Sequence, residues 1–422
     1  MTKIIVIGAG IVGAACAYTA ASLGAEVIAV DAALPGRATA AGAGIICPWS
    51  SRVEDGDWYA FGCAAAREYP ALIEELAEAG ETDTGYRRVG ALALNGDEDL
   101  LRARRARAPE MGEVREVSGT EAQRMFPPLR ADTAAVYIGG AARVDGRRLA
   151  AALTRAAKPT PVTGEAELAL RGERVVGVMV GGELIEADSV VAAAGAWTGM
   201  LLAPAGLAVP VEPQRGQIAH FSLGGVDTSQ WPVILPGGSG HYMLAFDDSR
   251  VVAGATRETG AGFDHRVTPG GLAEVLGEAL AVAPALASAT YLETRVGFRP
   301  CGPDIRPLLG PVPGIDGLVV ATGLGASGLT MGPHAGAIAA RLALGLPADI
   351  DLAPFDPLRL AGAQLADAQS AGAQSAGVPG SAGVPGSADV PGYRRRRRMT
   401  ATATTASAAV LACPEATLVP TR

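Results

Sequence analysis

Charge is scarce in this chain of 422 residues: only 18% of positions are Asp, Glu, Lys or Arg, and lysine occurs only as Lys3 and Lys158. The formal charge of −8 argues against a nucleic-acid partner, because phosphate binding needs clustered basic residues. Cys16, Cys47, Cys63, Cys301 and Cys413 are odd in number and lack CxxC spacing. They suggest neither a disulfide framework nor a zinc site, and read as small buried residues in a reducing compartment. The histidines, His220, His241, His265 and His334, are scattered without metal-ligand spacing, so no metal is expected. No glycine-poor apolar run reaches the ~20 residues a membrane helix requires, and the first strand-like run begins at Lys3 with no room for a signal peptide. The protein is expected in the cytoplasm, free or peripheral to a membrane.

What the chain has is apolar mass. With 49% apolar residues it can bury a large core, and its length suggests two domains of α/β type. It opens on KIIVIGAGIVGAACAYTAASLGAEVIAVD, Lys3 to Asp31. Ile4 to Ile7 reads as a strand buried on both faces, an Ala-rich helical pattern runs to Leu23, and Val27 to Val30 reads as a second buried strand ending at Asp31. Between the first strand and the helix lie Gly8, Gly10 and Gly13. This is the unit that holds a dinucleotide: Gly8 allows the tight turn, Gly10 lets the backbone approach a pyrophosphate, and Gly13 lets helix and strand pack closely. Asp31 would accept hydrogen bonds from the adenosine ribose and would repel a 2′-phosphate, so the ligand is FAD or NAD rather than NADP.

Further along, GRATAAGAGIICPW (Gly36 to Trp49) offers small residues that let the backbone pass close to something flat. Helical spacing follows from Trp58 to Ala79 despite Pro70, and Arg87 to Leu94 reads as one strand. Asp97 to Ala108 is a charged surface helix, Ser118 and Glu121 form a capping box, and Gly146 to Ala157 is another helix. Val175 to Val180 and Glu183 to Ala187 form a hairpin turning at Gly181 and Gly182, and Ser189 to Ala194 is a buried strand. From Val211 to Ala255 the pattern is β-rich, as for a substrate domain on an antiparallel sheet. Gly271 to Ala283 reads as a helix, Leu318 to Ala321 as a strand, and GLGASGLTMGP opens a helix reaching about Leu344. Gly323, Gly325 and Gly328 spell a second GxGxxG, but no strand ending in an acid follows, so it supplies a helix N-terminus rather than a second nucleotide site. From about Ala361 the Ala, Gly, Ser, Gln and Pro composition predicts a disordered tail. Its five arginines, Arg394 to Arg398, are either solvated or a contact for an anionic surface.

The set GAGIVG, AGAGIICPW, AAAGAW (Ala192 to Trp197), PQRGQ (Pro213 to Gln217), VVAGATRE (Val251 to Glu258), GFRPCGPDIRPLLG (Gly297 to Gly310) and GLGASGLTMGP resembles, in this order, the FAD-dependent oxidoreductases of the D-amino-acid oxidase family. The D-amino-acid dehydrogenase and glycine oxidase branch is the nearest match. The resemblance implies a Rossmann-like FAD domain (1–60, 140–210 and 300–360), an inserted α+β substrate domain (61–139 and 211–299) and the tail (361–422). It implies FAD contacts at Gly8, Ala9, Gly10, Ile11, Val12, Gly13 and Asp31, at Thr39, Ala40, Gly44 and Ile45, at Ala194, Gly195 and Trp197, and at Gly325, Gly328, Leu329 and Thr330. The helix opening at Gly328 would face the electron-rich edge of reduced flavin.

The implied reaction is hydride removal from the carbon bearing an amine, giving an imino acid that hydrolyses to a keto acid and ammonia. The substrate is a small amino acid or amine, of D-amino-acid or glycine type. A sarcosine-type oxidase, an NAD-dependent dehydrogenase and a non-catalytic flavin subunit of a larger enzyme are the alternatives. Arg299 is expected to hold the substrate carboxylate, or else to pair with Asp304. Tyr242 lends its hydroxyl to the same carboxylate, closes the pocket, or packs in the core; His241 is given no role. Cys301 does not sit where sarcosine oxidases attach FAD, so FAD is expected to be non-covalent. Those enzymes assist oxygen with a lysine near the flavin, and neither Lys3 nor Lys158 suits that part. The electron acceptor is therefore open among oxygen, a quinone and another protein.

Overall fold

In the computed structural model, which describes residues 1–51, 53–237 and 240–359, Lys3–Ile7 is an inner strand of a six-stranded sheet. The order is Leu308–Pro311, Leu318–Thr322, Ser189–Ala192, Lys3–Ile7, Glu26–Asp31, Thr160–Thr163. All pairs are parallel except Leu308–Pro311 with Leu318–Thr322. Successive side chains point to opposite faces, so Ile4 and Val6 go one way and Ile5 and Ile7 the other. The first pair packs with Ala14 of helix Ile11–Ser22, Leu149 of helix Gly146–Ala157 and Ile338 of helix Gly328–Ala343. The second pair packs with Val175 and Val178 of an antiparallel meander, Ala166–Arg171, Arg174–Val180 and Glu183–Glu186. Burial on both faces is why the run is apolar without alternation.

A second sheet has eight strands in the order Thr290–Cys301, Glu212–Ser222, Arg250–Gly254, Tyr242–Ala245, Val233–Pro236, Ala91–Leu94, Ala135–Ile138, Val114–Val117. Its pairs are antiparallel except Val233–Pro236 with Ala91–Leu94. One face carries Ala219, Met243 and Ala253 against Val275 and Ala279 of helix Pro269–Val282. The other face, with Gln214, Gly216, Ile218 and Tyr242, turns toward the first sheet and lines the cavity described below. The core is continuous between the sheets, since Val6, Ile138, Val233 and Leu244 belong to one buried cluster, and all described residues fall in one compact unit.

Several local expectations are corrected. Arg87 to Leu94 is not one strand: Arg87–Arg88 pairs with Ala142–Arg143, Ala91–Leu94 belongs to the large sheet, and the break falls at Gly90, whose φ is +72°. Only half of the capping box forms. Ser118 Oγ accepts from the Glu121 N–H at 3.3 Å, but the Glu121 carboxylate pairs with Arg115 at 2.8 Å. The strands Thr160–Thr163 and Leu308–Pro311, absent from the sequence reading, each contain proline and both are edge strands, where proline is tolerated. Helix Gly56–Glu78 does run through Pro70. No helix among the described residues is long and apolar enough to cross a membrane. The expected disordered tail, 361–422, lies outside the described residues.

Candidate active site

The two sheets enclose a cavity of about 980 Å³. At one end the chain turns from Ile7 into helix Ile11–Ser22 through Gly8, whose φ is +104°. A Cβ on Gly13 would lie 1.8 Å from the Gly8 carbonyl oxygen, so only glycine lets the helix lie on the turn. Gly10 gives the helix no side-chain cap and no acidic residue stands in its first turn, which leaves the positive end of its dipole to an anion. Asp31 holds the turn in place. Its Oδ2 accepts from the Ala9 N–H at 2.6 Å, its Oδ1 from the Ala33 N–H at 2.7 Å, and Arg37 Nη1 stands at 3.4 Å. A carboxylate offers about four acceptor positions, so room for a ribose hydroxyl remains.

The middle of the cavity is walled by Thr39, Gly44, Ile45, Ala194, Gly195 and Trp197. Thr39 Oγ1 accepts from the Ile11 N–H at 2.9 Å. Trp197 stacks on Phe263 with ring centroids 5.0 Å apart, and Phe298 meets both edge-on. The second glycine motif ends in the 3₁₀ turn Gly325–Ser327, and helix Gly328–Ala343 follows, again with no side-chain cap and no acid in its first turn. Thr330 Oγ1 donates to the Ile45 carbonyl at 2.9 Å, and the Tyr69 hydroxyl donates to the Leu329 carbonyl, so this helix start is held rigidly against the Gly36 to Trp49 segment. Two helix N-termini without an acid in the first turn, the first giving one N–H to Thr39, border one cavity and fit a ligand with a pyrophosphate at one place and an electron-rich ring at another.

At the far end are Tyr242, Arg257 and Arg299. Arg299 Nη1 donates to the Thr256 carbonyl at 3.0 Å and to Gln214 Oε1 at 3.3 Å. It does not pair with Asp304, which instead accepts from Arg359 Nε at 3.2 Å. Among the described residues Arg299 makes no ion pair. Burial draws its pKa below the ordinary guanidinium value, yet the group stays charged at neutral pH. Burial pushes the Tyr242 hydroxyl above the ordinary phenol range, and the positive charges of Arg299 and Arg257 offset part of the rise. Tyr242 is therefore a neutral hydroxyl facing a cation. Two thiols also line the cavity, Cys47 and Cys301; burial pushes Cys47 up to about 11 and raises Cys301, so neither is a thiolate at neutral pH.

Of the residues singled out in the sequence, all but three line this one cavity. Ala9 stands behind it with its N–H on Asp31, Gly13 packs helix to turn, and the Ala40 carbonyl accepts from Arg147 Nε at 2.7 Å. Lys3, paired with Glu26 at 3.4 Å, and Lys158, at the end of helix Gly146–Ala157, lie away from it. Missed by the sequence reading is the buried network behind Arg299. Glu258 accepts from Arg215 Nε at 3.0 Å, Gln217 Nε2 at 2.8 Å and Thr256 Oγ1 at 2.7 Å. The PQRGQ and VVAGATRE segments carried these residues, but strand spacing alone does not say that the two segments touch. Arg257 was missed too.

The family described as DAO, FAD dependent oxidoreductase, matches residues 3–342. The chain is 46% identical to an uncharacterized oxidoreductase of Bacillus subtilis over 85% of its own length and 99% of the relative's. It is 33% identical to glycine oxidase of Pseudomonas aeruginosa over 84% and 98% of the two chains. Among solved structures it resembles iminodiacetate oxidase from Chelativorans sp. BNC1, with a TM-score of 0.82, 51% identity, and coverage of 84% and 98%. With a dinucleotide-type turn and a second helix N-terminus on one cavity, and a family match over residues 3–342, the chain belongs to the DAO family of FAD-dependent oxidoreductases, and FAD is its cofactor.

Proposed function

We propose that this chain carries out oxidative deamination of a small, glycine-type amino acid, with Arg299 as the carboxylate anchor and Tyr242 as its neighbour. The observation that carries the reading is a half-buried guanidinium lining the cavity with no acidic partner among the described residues. Such a cation is costly unless something brings it a negative charge, and a guanidinium meets a carboxylate through two parallel bonds. Bound FAD would accept the hydride from the substrate carbon. What the chain's own groups do is orient that carbon: Arg299 fixes the carboxylate, the neutral Tyr242 hydroxyl can donate to it, and the apolar wall of Ile45, Leu329 and Phe298 excludes water. As the C–H electron pair leaves, the amine loses its proton and C=N forms; water then cleaves the imine to a carbonyl compound and an amine or ammonia.

A second reading, a secondary amine such as an N-substituted glycine, is favoured by the 51% identity to iminodiacetate oxidase. Anaerobic mixing of the purified yellow protein with glycine, small D- and L-amino acids, N-methylglycine and amines without a carboxylate separates the two. Bleaching by carboxylate-bearing compounds alone is the expected result. Bleaching by none of them, or equally by simple amines, overturns the proposal.

A further inference from the structure

Arg257 lines the same end of the cavity as Arg299 and Tyr242, and nothing described so far uses it. Its backbone is fixed from both sides. Thr256, fully buried, accepts from the Gln217 N–H at 3.0 Å and donates to Glu258 Oε1 at 2.7 Å. Glu258 exchanges backbone bonds with Arg215 at 2.9 and 3.1 Å and holds the Arg215 guanidinium with its carboxylate. The position of residue 257 is thus set by a network to which its own side chain contributes nothing.

The side chain is exposed and has no acidic partner among the described residues. Arg257 Nη1 donates to the Gly240 carbonyl at 3.2 Å, and Arg257 makes no ion pair among the described residues. The adjacent Glu258 directs its oxygens to Arg215, Gln217 and Thr256 instead. The second guanidinium is close by, because Arg299 Nη1 rests at 3.0 Å on the carbonyl of Thr256, the residue before Arg257. Burial first, and then the positive charge of Arg257, lower the Arg299 pKa. Two guanidiniums that line one mostly apolar cavity, the first bonded to the residue next to the second and neither paired with an acid among the described residues, offer contacts for two carboxylates.

We propose that Arg257 is a second carboxylate-binding residue, and that the substrate is a small amine bearing two carboxylates, one held by Arg299 and the other by Arg257. This rests on the amino-acid-oxidising reading above and narrows it. Arg257 acts on binding, away from the C–H bond being broken, so its loss should raise KM more than it lowers kcat.

Two measurements on the FAD-loaded full chain test it. The first is kcat/KM for iminodiacetate and for N-methylglycine, with flavin bleaching as the readout. Wild type should prefer the dicarboxylate, and Arg257→Met should reduce the ratio of the two kcat/KM values about tenfold or more, with partial recovery in Arg257→Lys. The second needs no turnover: diglycolate and methoxyacetate, ethers with two and one carboxylates, are titrated against the flavin absorbance. Diglycolate should bind wild type about tenfold more tightly or better, and Arg257→Met should erase the difference. An unchanged ratio in the first measurement, or equal binding of the two ethers by wild type, overturns the proposal. If N-methylglycine or glycine bleaches the flavin while Arg257 proves indifferent, only the second carboxylate site fails. If no amine bleaches it yet diglycolate is held through Arg257, the reaction assigned above fails while the anion site stands.

Discussion

Replacing Arg299 should separate function from stability, because the structure gives this residue little to do for the fold. Its polar protein contacts are two hydrogen bonds from Nη1, to the Thr256 carbonyl at 3.0 Å and Gln214 Oε1 at 3.3 Å, and the Tyr242 hydroxyl, with no ion pair among the described residues. The rest of the guanidinium faces Tyr242 and the cavity. Losing one partner of a desolvated charge pair costs ~2–5 kcal/mol, and ~1.4 kcal/mol is tenfold, so Arg299→Ala should lower kcat/KM for amino acids by roughly 30-fold to several thousandfold. The resting protein should not suffer likewise. Burial already disfavours this charge, so Arg299→Met should melt at or above the wild-type temperature with a native flavin spectrum. Arg299→Lys keeps the charge without the fork and should recover only part of the rate. Gly216→Ala is a milder perturbation from outside the residue: its Cβ would stand 2.8 Å from Arg299 Nη1, shifting the guanidinium and giving an intermediate loss. The assay is anaerobic flavin reduction under limiting substrate, beside thermal melting followed by flavin fluorescence, with an amine lacking a carboxylate as control. Normal amino-acid turnover by Arg299→Ala would place the anchor elsewhere. Loss of FAD or of folding in Arg299→Met would make the residue structural, and either result refutes the reasoning.

His220, 2% exposed, is pulled down to about 3 by burial and then by the charges of Arg295 and Arg250. Above its ordinary pKa near 6.5 it is neutral folded or unfolded and contributes no pH dependence; below that value the unfolded chain takes up a proton that the native chain refuses. Between pH 7 and 5 this group should therefore cost about 2 kcal/mol of stability, and His220→Gln should flatten that loss; equal falls in melting temperature for both proteins would count against it. Gly13→Ala should push helix Ile11–Ser22 off the Gly8 turn and cost ~1–3 kcal/mol, seen as lower flavin content and lower melting temperature, whereas a variant saturated with FAD at wild-type stability would show that the turn has slack. Because Cys47 and Cys301 are both protonated at neutral pH, acid precipitation should release free FAD; flavin staying with the polypeptide would point to a covalent bond at one of them.

Much of the dinucleotide end was legible in the chain itself, since each of its signals is local. A strand buried on both faces must be apolar without interruption, and a helix start must lie a few residues beyond the turn that feeds it, so Lys3 to Asp31 carries the unit within one window. The second helix start at Gly328 was readable for the same reason, as were the long helices and the Gly181–Gly182 hairpin. Arg299 and Tyr242 were placed at the site by resemblance and not by pattern, and their meeting in one cavity depends on strands Thr290–Cys301 and Tyr242–Ala245 being brought together across Glu212–Ser222 and Arg250–Gly254. No period of 2 or 3.6 encodes which strands are neighbours. The absence of an Arg299–Asp304 pair is likewise tertiary, because Arg359 reaches Asp304 from a segment 55 residues away. Arg257 shows the limit most clearly. In sequence it is one arginine after a strand, and only the pinned Thr256 and Glu258 on either side, held by Arg215 and Gln217 from another strand, set its place in the lining of the cavity.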